Sequence, residues 1–294
     1  MASSKTQPRI LAPVPTLARG LSFSITPDAG PGDALRRLGA GFDLAQGVIG
    51  IGEPLVRALG ASIPGLRAFP SIAGPGVEVP GIGHALWVHL HGSDRGALFD
   101  LEAKVMDLIG EAFAPADAID LFLYRGGRDL SGFEDGTENP KGDDAVEAAI
   151  VAAGEGMAGS SFVAVQRWLH DLERYRRMTP PERNAMIGRD RESNEELEDA
   201  PPSAHVKRSA QENFDPPAFM WRRSMPWARA GEHGFEFIAY GESLDRFERV
   251  MRRMAGLDDG IVDGLFAFSR PVNGAYYWCP PVAGAKLELH ALGL

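Results

Sequence analysis

Residues 234–256 read GFEFIAYGESLDRFERVMRRMAG, and the change of period inside this stretch decides the fold. GFEFIAYG (234–241) alternates as a strand does. From Ser243 the step lengthens: Leu244, Phe247, Val250, Met251 and Met254 recur at three- and four-residue intervals. That spacing makes one apolar stripe along a helix, with Ser243 as its N-cap. A third segment of strand character, GAYYWCPP (274–281), follows. Strand, helix and strand in direct succession are the parts of an α+β unit.

The rest of the chain repeats the unit. SSFVAVQRW (160–168) supplies the opening strand of the second half. The first half offers the strands ARGLSFSI (18–25), HALWVHL (84–90) and AIDLFLYR (118–125). Between the last two lies a helix, ALFDLEAKVMDLIGEAF (97–113), with a stripe of Leu98, Leu101, Val105, Leu108, Ile109 and Ala112. The expected class is therefore α+β, with two successive antiparallel units. Residues 27–80, rich in Gly and Pro, are expected to form helix plus long loops, and 179–204 a polar surface excursion. GFEDGTENP (132–140) lies where the two copies meet, dividing the chain at 1–140 and 141–294.

With 294 residues, 44% of them hydrophobic, the chain can build a sizeable core. A net charge of -10 argues against nucleic acid, whose phosphates need clustered cations. Cys279 is the single cysteine, which excludes an intramolecular disulfide and cysteine-based zinc or iron–sulfur sites and suits a reducing compartment. Neither an export signal nor a run of about 20 apolar residues is present, so the expectation is a cytoplasmic protein away from the membrane.

Two features carry chemistry. In GFEDGTENP the glycines Gly132 and Gly136 permit backbone angles that other residues resist, so the turn either presents Asp135 from a rigid hook or is an ordinary surface turn. His205 follows the stiff approach EDAPPSA and precedes Lys207 and Arg208. An imidazole flanked by cations suits an axial haem ligand with counter-charges for the propionates, and suits a structural histidine as well. His89 and His91 share one strand face and would hold a metal only with a third ligand from elsewhere; core packing is the simpler role.

Taken together, GFEDGTENP, PPSAHVKR (201–208), WRRSMPWA (221–228) and IVDGLFAFSRPVNGAYYWCPP (261–281) resemble the dye-decolourising (DyP-type) peroxidase family. So do PGLRAFPSIAGPGVEVP (64–80) and SSFVAVQRWLHDL (160–172), and the resemblance covers nearly the whole chain. It implies tandem ferredoxin-like domains, one haem b per subunit held mainly by the second half, an intracellular branch and a homo-oligomer. The implied activity is that of a peroxidase. It reduces hydrogen peroxide through a ferryl state and oxidises bulky one-electron donors such as dyes and phenols. Alternatives are an enzyme acting on porphyrinogen or releasing haem iron, and a non-enzymatic haem-binding protein.

Carried over by position, the resemblance makes His205 the proximal iron ligand and Asp263 the carboxylate that holds it. Asp135 becomes the distal carboxylate and Arg222 the distal arginine, with Ser224 as polar companion; Arg223 is the neighbouring choice of register. Arg208 is expected to face the cofactor. Tryptophans 87, 168, 221, 227 and 278 and tyrosines 124, 175, 240, 276 and 277 are expected mainly in the core, where aromatics contribute most buried area.

Overall fold

The computed structural model describes residues 2–294. Its first half runs β1 (Leu17–Ile25), α1 (Pro31–Gly41), β2 (Gly47–Gly52), α2 (Glu53–Ala58), the hairpin β3 (Ile72–Gly74) and β4 (Val77–Val79), β5 (Leu86–Gly92), α3 (Arg95–Ile109) and β6 (Phe113–Phe122). α4 (Asp143–Ala149) leads into the second half. There follow β7 (Ser161–His170), α5 (Leu172–Arg177), α6 (Pro180–Ile187), α7 (His205–Arg208), β8 (Trp221–Arg222), β9 (Met225–Arg229), β10 (Glu232–Gly241), α8 (Leu244–Met254) and β11 (Ser269–Cys279). A small hairpin, β12 (Val282–Ala283) and β13 (Lys286–Leu287), comes last.

Each half has its last strand beside its first, the first beside the third, and the third beside the second, the antiparallel order of a ferredoxin-like unit. The continuous path is β6-β1-β5-β2-β11-β7-β10-β8, with β9 also on β10. The halves join where β11 meets β2, Tyr277 opposite Gly52 and Trp278 opposite Ile51. β6 and β9, at the two ends, come together, so the sheet curls around an inner core that includes Trp87, Ile119, Trp227, Tyr240 and Tyr277. The outer face carries the helices.

α8 forms for the reasons its spacing predicts. Ser243 accepts a hydrogen bond from the Asp245 amide, and all five stripe residues are buried. Each such side chain contributes roughly 1.5–3 kcal/mol when fully withdrawn from water. α3 ends earlier than its apolar pattern, at Ile109, because Gly110 takes φ +55°. Phe113 therefore opens β6 instead of closing the helix.

The expectation of helix and long loops over 27–80 needs correction, since β2 and the hairpin β3–β4 lie within it. β2 reads GVIGIG and every residue is buried. Its glycines hide the strand from propensity and exist for close approach. A Cβ at Gly47 would stand 2.4 Å from the His89 carbonyl oxygen, and one at Gly52 2.0 Å from that of His84.

Inside the curl, Arg167 of β7 pairs with Glu236 of β10 at 3.0 Å and with Asp117 of β6 at 2.7 Å. Burial raises the Glu236 carboxyl, and Arg167 opposes it. His89 and His91 also face this core: His89 stacks on Trp87, with ring centroids 5.2 Å apart, and the two histidines share a 3.0 Å hydrogen bond. Among the described residues no third metal-ligating side chain joins them. Trp87, Trp168, Trp227, Trp278, Tyr175, Tyr240, Tyr276 and Tyr277 are buried, and Cys279 is a buried free thiol. Trp221 and Tyr124 are partly exposed. No helix among the described residues is long and apolar enough to cross a membrane.

Candidate active site

Alternation along the second-half strands sends Gln166, Trp168 and His170 of β7 and Phe235 and Phe237 of β10 to the helix-bearing face. There they meet the α8 stripe across a cavity of about 930 Å³ of atom-free space, partly open to solvent. His205, Asp135 and Arg222 line it. The same three also line an adjoining polar lobe of about 870 Å³, where Arg189 and Lys207 stand among Glu134, Glu138, Glu196 and Glu212. An apolar body with a polar edge fits such a two-lobed space.

His205 is placed by an ordered sequence of local signals. Thr179 and Glu182 close a capping box at the start of α6, and Gly188 ends that helix in the left-handed region at φ +93°. Gly188 packs against Val206, where a Cβ would come within 2.3 Å of a methyl group. The Ala204 amide donates to the Pro201 carbonyl and His205 begins α7. The His205 Nδ1 lies 2.8 Å from Oδ2 of Asp263. Asp263 is buried and caps the following turn through Oδ1 and the Leu265 amide. Burial pushes the imidazole pKa down, yet the Asp263 charge and hydrogen bond outweigh it and leave the pKa raised. Nδ1 is thus occupied, and Nε2 has no protein hydrogen-bond partner among the described residues.

The acidic turn is a built hook. Gly132 and Gly136 take φ +93° and +76°. Phe133 anchors it in a small core with Leu172, Tyr175, Met186, Ile187 and Phe268. Arg128 straps it by donating to the Gly132 carbonyl at 2.7 Å. Asp135 stands 4.0 Å from Nη1 of Arg222, whose own Nε is buried without a partner. Arg223 points elsewhere. Its Nε donates to the Ala12 carbonyl, its guanidinium lies 3.6 Å from the Trp221 ring centroid, and burial lowers its pKa to about 10.

Two expected contributors line neither lobe, although Ser224 borders a smaller pocket beside Asp135 and Arg222. Arg208 forms a two-pronged pair with Asp259 at 2.7 and 2.8 Å beyond the end of α8, and lines neither lobe. Ser224 accepts from the Ile238 amide at 3.2 Å, which ties the β8–β9 link to β10. A polar patch in the cavity wall was not expected from the sequence: His170 bridges Asp129 at 2.8 Å and Ser269 at 2.7 Å. His170 ends β7, and nothing in its local pattern marks it.

The donor set suits haem. The imidazole has one nitrogen fixed by a buried carboxylate and the other without a partner, and it borders an apolar lobe that opens into a polar one of mixed charge. His205 would hold the iron, the α8 stripe and Phe235 would pack on the ring, and Lys207 and Arg189, the latter paired with Glu138 and Glu196, would be the cations of the polar lobe.

Comparison with known proteins identifies the family of the chain. A family model described as "Dyp-type peroxidase, C-terminal" matches residues 126–284. The dye-decolorizing peroxidase of Mycobacterium tuberculosis is 30% identical over 224 residues, covering 74% of this chain and 67% of that protein. That of Mycolicibacterium paratuberculosis is also 30% identical, over 74% of this chain and 63% of its own length. The chain thus spans about two thirds of these relatives. Among solved structures, a dye-decolorizing protein from V. cholerae has TM-score 0.83 at 29% identity, covering 92% of this chain and 96% of that one. A DypB variant from Rhodococcus jostii RHA1 in complex with heme has TM-score 0.85 at 26% identity, covering 92% and 94%.

Proposed function

Since this chain belongs to the Dyp-type peroxidase family, we propose that it is a haem peroxidase that takes hydrogen peroxide as oxidant and withdraws single electrons from bulky organic donors such as dyes and phenols. The supporting observation is the convergence on one cavity of His205, backed by Asp263, with the Asp135–Arg222 pair. Haem, when bound, supplies an iron that holds peroxide and takes up its oxidising equivalents.

The chain's own residues supply the rest. His205 would hold the iron through Nε2, while Asp263 accepts the hydrogen bond from Nδ1–H and keeps the ring oriented and electron-rich. Asp135 accepts the proton of the inner peroxide oxygen and returns it to the outer one, which leaves as water. The permanent charge of Arg222 stabilises the anionic character that develops on the departing oxygen. Phe235, Phe237 and the α8 stripe keep bulk water from the floor of the cavity.

The test compares wild type with His205→Ala after haem reconstitution. Wild type is expected to bind one haem per chain and oxidise a dye only when peroxide is added. His205→Ala is expected to keep its secondary structure and lose most haem. Full occupancy with an unchanged ferric spectrum in that variant would exclude His205 as ligand.

A further inference from the structure

Asp135 and Arg222 reach the cavity from separate segments, and one side chain joins those segments. Asn139, in the same turn as Asp135, donates from Nδ2 to the Arg222 carbonyl oxygen at 3.0 Å and accepts the Arg222 backbone N–H on Oδ1 at 3.0 Å. A primary amide that meets both peptide groups of one residue pairs with it as a neighbouring strand would. β8 needs such a partner. It is two residues long, its ladder with β10 comprises Trp221 and Arg222, and the chain just beyond it is held to β10 by the Arg223 amide and the Ser224 hydroxyl at Ile238. The turn holds the Asn139 side chain in place for this pairing. The Asn139 backbone amide donates to the Gly136 carbonyl at 3.0 Å, and a Cβ at Gly136 would stand 2.7 Å from Nδ2 of Asn139.

We propose that Asn139 is the positioning residue of the distal pair. By clamping the Arg222 backbone to the Asp135 turn, it sets where the guanidinium stands relative to the carboxylate. Asn139 lines neither lobe of the cavity but borders a smaller pocket beside Asp135 and Arg222, and because the Arg222 backbone engages both its amide oxygen and its amide nitrogen, it acts through Arg222. The inference rests on the peroxidase reading and adds to it a residue that fixes the geometry of the pair.

Fluoride binding to the ferric haem protein, titrated by absorbance at one pH, reads the guanidinium position, because a small anion gains from a fixed donor beside it. Arg222→Leu is expected to weaken fluoride, and Asn139→Ala to weaken it about tenfold, the usual scale for one misplaced charge-assisted hydrogen bond. Asn139→Asp keeps the acceptor for the Arg222 N–H, provides a folded variant if alanine is not tolerated, and should shift affinity in the same direction. The double variant Asn139→Ala/Arg222→Leu should bind no more weakly than Arg222→Leu alone. Additive losses would overturn the clamp, as would unchanged affinity in both Asn139 variants while Arg222→Leu is weakened; the peroxidase reading survives either result. If Arg222→Leu itself binds fluoride normally, the distal assignment of Arg222 fails and the clamp with it.

Discussion

Nδ1 of His205 stands 2.8 Å from Oδ2 of Asp263, a carboxylate whose other oxygen accepts the Leu265 amide at 2.8 Å. Both oxygens are engaged, so the carboxylate cannot turn away from the ring. Orientation and basicity of the imidazole thus depend on a single buried side chain.

Asp263→Asn is accordingly expected to retain haem while raising the ferric/ferrous midpoint potential, since a neutral amide is the weaker acceptor and leaves the imidazole less electron-rich. Potentiometric titration checks this. An unchanged or lower potential would remove Asp263 from that role.

At the distal face, Arg222→Leu should slow the reaction with peroxide by about 10²- to 10³-fold, the usual effect of deleting one electrostatic donor. Asp135→Asn should also slow it, within the range of about 10²- to 10⁴-fold for acid–base help. Because a water can replace part of a proton shuttle and nothing replaces a fixed charge, the larger defect is expected in Arg222→Leu. Arg223→Leu, which removes the hydrogen bond to Ala12 and the stacking on Trp221, should lower the melting temperature and leave the rate near wild type. Stopped-flow traces of the four proteins decide it, and a crippled Arg223→Leu beside a normal Arg222→Leu would reverse the assignment.

His91 gives the fold a pH dependence of its own. Burial first, and then the nearby Arg9 charge, lower its pKa to about 3, against about 6.5 in the unfolded chain. Between those values the unfolded state binds the extra proton, so stability is complete above about pH 6.5 and falls as the pH drops toward 3. The slope is about 1.4 kcal/mol per pH unit for this one group. His89, hydrogen-bonded to His91 and itself lowered by burial, adds in the same direction. Urea unfolding at about pH 4, 5 and 6 should show His91→Gln with a slope shallower by about that amount. Parallel slopes would mean that His91 is protonated in the folded state.

The Arg167–Glu236–Asp117 group should behave as a buried ion cluster. Glu236→Ala leaves Arg167 with Asp117 alone in an apolar core that includes Trp227, and is expected to cost about 3–5 kcal/mol in chemical unfolding. A loss below about 1 kcal/mol would show that water reaches the guanidinium.

How far these features could be read from the chain depended on whether local pattern or distant approach controls them. The start and buried face of α8 were legible, because a cap and a five-residue stripe are both local. β2 was not: three of its six residues are glycines whose purpose lies in the carbonyls and rings of other strands. β9 was missed as well, since MPWAR is short and holds a proline. Asp135, His205, Arg222 and Asp263 are far apart in sequence, and no spacing rule unites them. Their grouping came from the family resemblance, and the cavity that Asp135, His205 and Arg222 share, with Asp263 behind His205, is consistent with it. Arg208 shows the limit of reasoning by neighbourhood, for adjacency to His205 suggested the cofactor and Asp259 holds the side chain instead. Asn139 stood in full view in GFEDGTENP, but its partner is the backbone of a strand 83 positions away.

Gly50 sits on β2 between Trp87 and Tyr277, and a Cβ there would meet both, at 3.1 and 2.8 Å. Its bare backbone lets the indole of one half and the phenol ring of the other stack across the seam, with centroids 5.7 Å apart and planes inclined by 15°. The seam therefore cannot open as a hinge without unstacking that aromatic pair and stripping both edges of a fully buried strand. The second half, which supplies most of the cavity wall, borrows rigidity from the first, and the protein should lose its structure in one cooperative step rather than half by half.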